Sequence, residues 1–150
     1  MSEIKFKSPC SGKVINIEEF PDEIISDKAM GDGFGVYLDD NLIVSPFNGV
    51  VKVLYPTGHA ICLTSDDGID LMIHIGIDSF NISGLNKIYV KVGDKVKQGD
   101  KLIKTNIRKL EKLTGNTATA IVFLNQEKVI DLKVNQNVDN LDQVAIIEVD

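Results

Sequence analysis

One seven-residue device occurs twice in this chain. Ser8-Pro9-Cys10-Ser11-Gly12-Lys13-Val14 and Ser45-Pro46-Phe47-Asn48-Gly49-Val50-Val51 both read S-P-x-x-G-x-V, thirty-seven residues apart. Proline has no N–H to give a sheet ladder, so each copy marks a strand start or an edge. The glycine four residues after each serine then permits a turn into the next strand. Two strand–corner–strand units are too few for a solenoid and fit a pseudo-symmetric sandwich.

The rest of the chain has the same grain. Short β-type runs end at turn residues: Ile4–Ile17 broken at Ser8–Gly12, then Val36–Leu38, Leu42–Ser45, Val50–Tyr55, Ala118–Leu124, Val129–Val134 and Val144–Val149. Gly31, Gly33 and Gly35 lack the spacing and the Lys-Ser/Thr of a phosphate loop, and read as a flexible turn into Val36–Leu38. Only two helical stretches are expected. One is short or irregular, around Ile24, Ile25, Ala29 and Met30. The other runs Asn106–Leu113, with Asn106 as N-cap and Ile107, Leu110 and Leu113 on one face. The class is therefore all-β, an antiparallel β-sandwich or barrel-sandwich with duplicated hairpin motifs and one or two short helices. Residues 90–102 read V-x-x-G-D-x-V-x-x-G-D-x-L, which resembles the hammerhead of biotinyl and lipoyl domains. The carrier lysine motif of those domains is not there, so the likeness speaks to architecture alone.

A length of 150 residues suits one domain, 1–150, and the net charge of −6 argues against nucleic acid as a partner. The N-terminus has no apolar signal segment, and no run approaches the ~20 apolar residues that span a bilayer. A cytoplasmic protein, not itself membrane-embedded, is expected. Cys10 and Cys62 lack metal or redox spacing and read as small buried hydrophobes.

The chemistry concentrates in His59–Ser79. Two β-type runs, His59–Thr64 and Ile69–Ile75, flank the turn signal Ser65-Asp66-Asp67-Gly68, and the chain's two histidines sit one in each run. A hairpin centred between Asp66 and Asp67 places His59 directly opposite His74, with Cβ atoms about 4.5–5.5 Å apart, and Ile61 opposite Met72 on the same face. A three-residue loop with a G1 bulge would shift that pairing by one. Two adjacent imidazoles resist double protonation, so at least one is neutral near neutral pH. A neutral ring nitrogen is a nucleophile, and a neighbouring ring N–H can donate to developing negative charge. That pairing suits transient acceptance of a phosphoryl group. It could also begin a metal site, or be merely structural. Thr57, two residues before His59, could hold a ring N–H and set the tautomer.

The order of motifs resembles a known family. Ser-Gly (11–12), Pro-Asp (21–22), Gly-Asp-Gly (31–33), Pro-x-x-Gly (46–49), Thr-x-His-Ala (57–60), Ser-Asp-x-Gly (65–68), His-x-Gly-Ile-Asp (74–78) and Gly-Asp-x-Val-x-x-Gly-Asp (93–100) are similar to the glucose-type enzyme IIA of the bacterial phosphoenolpyruvate-dependent sugar phosphotransferase system. The likeness begins near residue 4 and runs to the C-terminus. It implies a phosphocarrier that takes a phosphoryl group from the histidine of HPr onto Nε2 of His74 and passes it to a cysteine of a sugar-specific IIB domain during sugar uptake. His59 would stabilise the phosphoryl group and Thr57 would hold His59. Asp22 and Asp78 match acids near that site. Ile24, Ile25, Tyr55, Ile61 and Met72 would line an apolar depression that docks HPr and IIB in turn. No cofactor is expected. Zinc at His59 and His74 would be adventitious, and regulated transporters or enzymes are further partners the resemblance allows. Starting at Met1, the chain is expected to be a free-standing IIA.

Two rival readings have distinct tests. A zinc-binding hydrolase would need three protein ligands, and this chain has two histidines in total. A regulatory interaction module would carry the histidines without phosphotransfer.

Overall fold

The computed structural model describes residues 2–149. The elements in order are β1 (Ser2–Lys7), β2 (Gly12–Asn16), a 3-10 turn (Ile17–Glu19), α1 (Glu23–Ser26), β3 (Gly33–Leu38), β4 (Leu42–Val44), β5 (Gly49–Leu54), β6 (Ala60–Ser65) and β7 (Asp70–Ile75). They continue with β8 (Asn86–Ile88), β9 (Lys95–Val96), β10 (Lys101–Thr105), α2 (Ile107–Thr114), β11 (Ala118–Phe123), β12 (Lys128–Ile130), β13 (Asn137–Val138) and β14 (Gln143–Val149). All described pairings are antiparallel. An eight-stranded sheet runs β13-β2-β3-β11-β7-β6-β5-β9, and two three-stranded sheets run β1-β14-β12 and β4-β10-β8.

Alternation along the strands sorts the large sheet into two faces. Phe34, Val36, Ile61, Leu63, Leu71, Ile73, Ile75, Ile121 and Phe123 point inward and pack with Phe6, Ile43, Leu102, Ile103, Ala145 and Ile147 of the small sheets. Leu110 of α2 closes the same core. The other face carries a smaller cluster of Ile15, Met72, Ala118, Ala120 and Val122, roofed by Ile17, Phe20 and Ile25 of the 3-10 turn and α1. The fold is a β-sandwich with one helix closing its interior and one short helix lying on its outer face.

The repeated Ser-Pro corners are the same device chemically. Ser8 Oγ donates to the Cys10 carbonyl and Ser45 Oγ to the Phe47 carbonyl, each at 2.6 Å. Each serine also exchanges backbone hydrogen bonds with an Asp-ended turn: Ser8 with Leu141 and Asp142, Ser45 with Gly99 and Asp100. The Val-x-x-Gly-Asp turns close alike, with Asp94 accepting from Lys91 N and Asp100 from Lys97 N. A third copy, Val138–Asp142, was not legible in the sequence. Leu141 stands where the other copies have glycine, yet it adopts φ +70° beside Gly99 at +94°. Asp142 accepts from Asp139 N in the same way.

Two sequence expectations need correction. Gly33 and Gly35 are not a turn before β3 but lie inside it. A Cβ at Gly33 would meet the Ile121 carbonyl oxygen at 2.0 Å, and one at Gly35 would meet Phe20 Cδ1 at 2.8 Å. The glycines serve close packing. The second correction is the hairpin register. Ser65 N donates to the Ile69 carbonyl, and Gly68, at φ +90°, closes a loop of three residues. This is the one-residue shift that a left-handed glycine at the loop end brings. Ala60, not His59, therefore pairs with His74, and Cys62, not Ile61, with Met72.

Candidate functional site

The outer face of β7 places His74 in a row of small neighbours. Ala60 of β6 pairs it on one side and Ala120 of β11 on the other, and Ala120 in turn pairs with Gly35 of β3. His74 therefore stands between methyl-sized neighbours. Phe20 and Ile15 pack over Gly35, beyond Ala120. Met72, two residues before His74, points to the same face and is buried in the small cluster with Ile25.

His59 reaches the same face by another route. It lies just before β6, where its carbonyl accepts from Ile75 N at 2.7 Å. Strict alternation would turn it toward the core. The corner Pro56-Thr57-Gly58, with Gly58 at φ +73°, releases it from that alternation. Its ring meets the His74 ring edge to face, with centroids 5.6 Å apart and planes at 75°. Both rings are half-buried. The expectation of neighbouring imidazoles is met geometrically, but through the strand end and not through cross-strand pairing.

A hydrogen bond to a carbonyl assigns the ring nitrogens of His74. His74 Nδ1 lies 3.1 Å from the Gly76 carbonyl. A carbonyl only accepts, so Nδ1 carries the proton and Nε2 of the neutral ring keeps its lone pair. Gly76 holds that carbonyl in place with φ +71°. Ser79 supports the turn by donating from Oγ to the Ile75 carbonyl. Thr57 Oγ1 lies 2.6 Å from His59 Nδ1. Burial lowers the His59 pKa below its ordinary 6.5, and the neighbouring His74 ring pushes it the same way. His59 is thereby kept neutral near pH 7.

The other expected residues divide. Tyr55 stacks obliquely beside His59 at 5.1 Å between centroids. Ile25 faces the outer cluster while its neighbour Ile24 stands 63% exposed on α1. Asp22 caps α1, its carboxylate accepting from Ile24 N and Ile25 N. Asp78 is exposed, two residues past Gly76, at φ +54°. Ile61 does not belong to the depression. The register shift turns it into the main core, fully buried opposite Ile73. Phe80 was missed. It is 56% exposed with its ring 6.2 Å from His59, and it lies in a turn where no periodicity marks it. Asn86, whose amide bonds to the Thr57 carbonyl, was also missed. Among the described residues, no three His, Cys, Asp or Glu side chains form a group able to hold a metal ion. No helix among them is long and apolar enough to cross a membrane.

The fold is a β-sandwich, and two imidazoles meet on its outer face. The family model for the phosphoenolpyruvate-dependent sugar phosphotransferase system, EIIA 1, matches residues 4–129, and the chain belongs to that family. It is 36% identical over 132 residues to the glucose-specific EIIA component of Oceanobacillus iheyensis, covering 87% of this chain and 80% of that protein. It is 39% identical over 127 residues to the glucose-specific EIICBA component of Staphylococcus saprophyticus, covering 84% of this chain and 19% of the relative. The chain thus spans about a fifth of the length of that larger protein. In structure it is similar to the glucose permease IIA of Mycoplasma capricolum, with TM-score 0.85 and 26% identity over 97% of this chain and 96% of the other.

Proposed function

We propose that this chain, folding as a single domain, is a histidine phosphocarrier of a sugar phosphotransferase system. His74 accepts a phosphoryl group from phospho-HPr and delivers it to a cysteine of a IIB domain in a sugar permease. The observation that carries this reading is the His74 Nδ1–Gly76 carbonyl bond, which leaves Nε2 as an oriented lone pair. In the acceptance step the donor's N–P bond breaks as the His74 Nε2–P bond forms, and the electron pair of the broken bond returns to the donor imidazole. With Thr57 donating its hydroxyl proton to Nδ1, His59 carries its own proton on Nε2 and offers it to a phosphoryl oxygen. No Arg flanks either histidine, so the phosphoryl group is stabilised modestly and leaves readily. The carboxylate of Asp78 adds repulsion that favours departure.

The rim suits weak, successive docking. Ile24, Tyr55 and Phe80 are exposed, and Tyr55 and Phe80 both lie against His59. A few exposed apolar and aromatic side chains suit a transient interface, not a permanent one. HPr and the IIB domain would use it in turn, in the cytoplasm.

The test is phosphorylation by phosphoenolpyruvate with the general proteins of the system. His74→Gln should abolish acid-labile labelling. His59→Gln should impair onward transfer to IIB more than acceptance. Label that survives His74→Gln would sink the assignment.

A further inference from the structure

Asn86 opens β8, on a different sheet from His74 and from the strand that follows His59. Its Nδ2 donates to the Thr57 carbonyl at 3.1 Å, across 29 positions of chain. Because a carbonyl only accepts, the amide can sit only with Nδ2 toward Thr57 and Oδ1 away from it. That orientation leaves Oδ1 buried with no hydrogen-bond partner among the described residues. Its register neighbour on β10 is Thr105, whose Oγ1 is likewise buried and unpartnered. A buried acceptor without a donor costs stability. Leucine has nearly the shape of asparagine; it would remove that cost and lose the one bond to the Thr57 carbonyl, two effects of similar size, so folding stability alone does not call for asparagine here.

What Asn86 holds is the corner that aims His59. The Thr57 carbonyl accepts from Asn86, and its hydroxyl lies 2.6 Å from His59 Nδ1. The next residue, Gly58, rests on the same strand: a Cβ there would meet Ile88 Cγ1 at 2.9 Å and Asn86 Cβ at 3.3 Å. The corner is thus fastened to β8 by a hydrogen bond and by a close backbone approach. We infer that Asn86 is a positioning residue, retained at a cost in stability because it fixes Thr57 and, through Thr57, the tautomer and angle of the His59 ring. Its consequence for phosphoryl transfer rests on the function proposed above.

The discriminating variant is Asn86→Leu in the full chain, with Asn86→Asp beside it. The aspartate keeps the shape but sets an acceptor against the Thr57 carbonyl. Three quantities are read: thermal unfolding, the His59 ring ¹⁵N signals, and the rates of acceptance and discharge. Asn86→Leu should melt no lower than the parent. Its His59 signals should move from one tautomer toward a mixture, by about fivefold in the tautomer ratio, the bias one neutral hydrogen bond supplies. Discharge to IIB should slow by a similar factor while acceptance on His74 changes little. Asn86→Asp should show the same His59 change with a lower melting temperature. A lowered melting temperature for Asn86→Leu with an unchanged His59 tautomer would overturn the inference and leave Asn86 a structural residue. A changed tautomer with unchanged transfer rates would uphold the positioning but refute the proposed role of His59.

Discussion

Replacing Gly76 by alanine tests whether backbone geometry governs the chemistry of His74. Gly76 sits at φ +71°, and a Cβ there would lie 2.7 Å from Leu110 Cδ1 and 3.3 Å from Ser79 Cβ. Leu110 is fully buried in the main core and cannot swing aside freely. Holding an L-residue in the left-handed region costs roughly 1–2 kcal/mol. Forcing a methyl group against a packed side chain costs roughly 1–3 kcal/mol more. Together these predict a loss of about 2–5 kcal/mol, which for a chain of this size lowers the melting temperature by roughly 4–20 °C. Gly84 supplies the control. It has the same φ of +71°, but its Cβ would meet only the flexible Lys109 Nζ at 3.6 Å. Gly84→Ala should therefore show the conformational cost alone, about 1–2 kcal/mol. Any turn adjustment that relieves the Leu110 clash also moves the carbonyl that holds His74 Nδ1. Losing that bond, worth about 1 kcal/mol, would shift the His74 tautomer ratio about fivefold. Urea unfolding measures the first effect and imidazole ¹⁵N shifts the second. Equal destabilisation by the two substitutions, with His74 unchanged in both, would refute the reasoning.

Two further outcomes follow from the site. The His59 pKa is lowered in the fold, so the unfolded chain binds the proton more readily. Stability from the neutral ring is fully present above the ordinary value of 6.5 and is lost as pH falls through the depressed value. The advantage of the parent over His59→Gln in denaturant unfolding should shrink between about pH 7 and about pH 5, and a difference flat over that range would contradict the assignment. Asp22 should act through α1. Asp22→Ala removes the N-cap, costing about 0.5–2 kcal/mol locally, and should weaken docking through Ile24 and Ile25, whereas Asp22→Asn keeps the cap and the transfer rates. Equal losses in transfer rate would instead point to the carboxylate charge.

Much of the fold is legible in the sequence. The repeated Ser-Pro corners, the Val-x-x-Gly-Asp turns and the short alternating runs prescribe antiparallel hairpins, because proline, glycine and β-branched residues act locally and leave few alternatives. The motif order pointed to the family, and the pair of histidines with Thr57 stood out as the candidate site. The tertiary structure decided what depends on distant contacts. A single left-handed glycine at residue 68 moved the register by one and sent Ile61 to the opposite face, because side chains alternate with a period of two. Gly33 and Gly35 proved to be packing sites only once β11, Phe20 and Ile15 lay against them. Leu141 hid a third turn because neighbouring structure holds it where the other copies use glycine. Phe80 reaches His59, and Asn86 reaches Thr57, from segments distant along the chain, and only the folded chain brings such residues together.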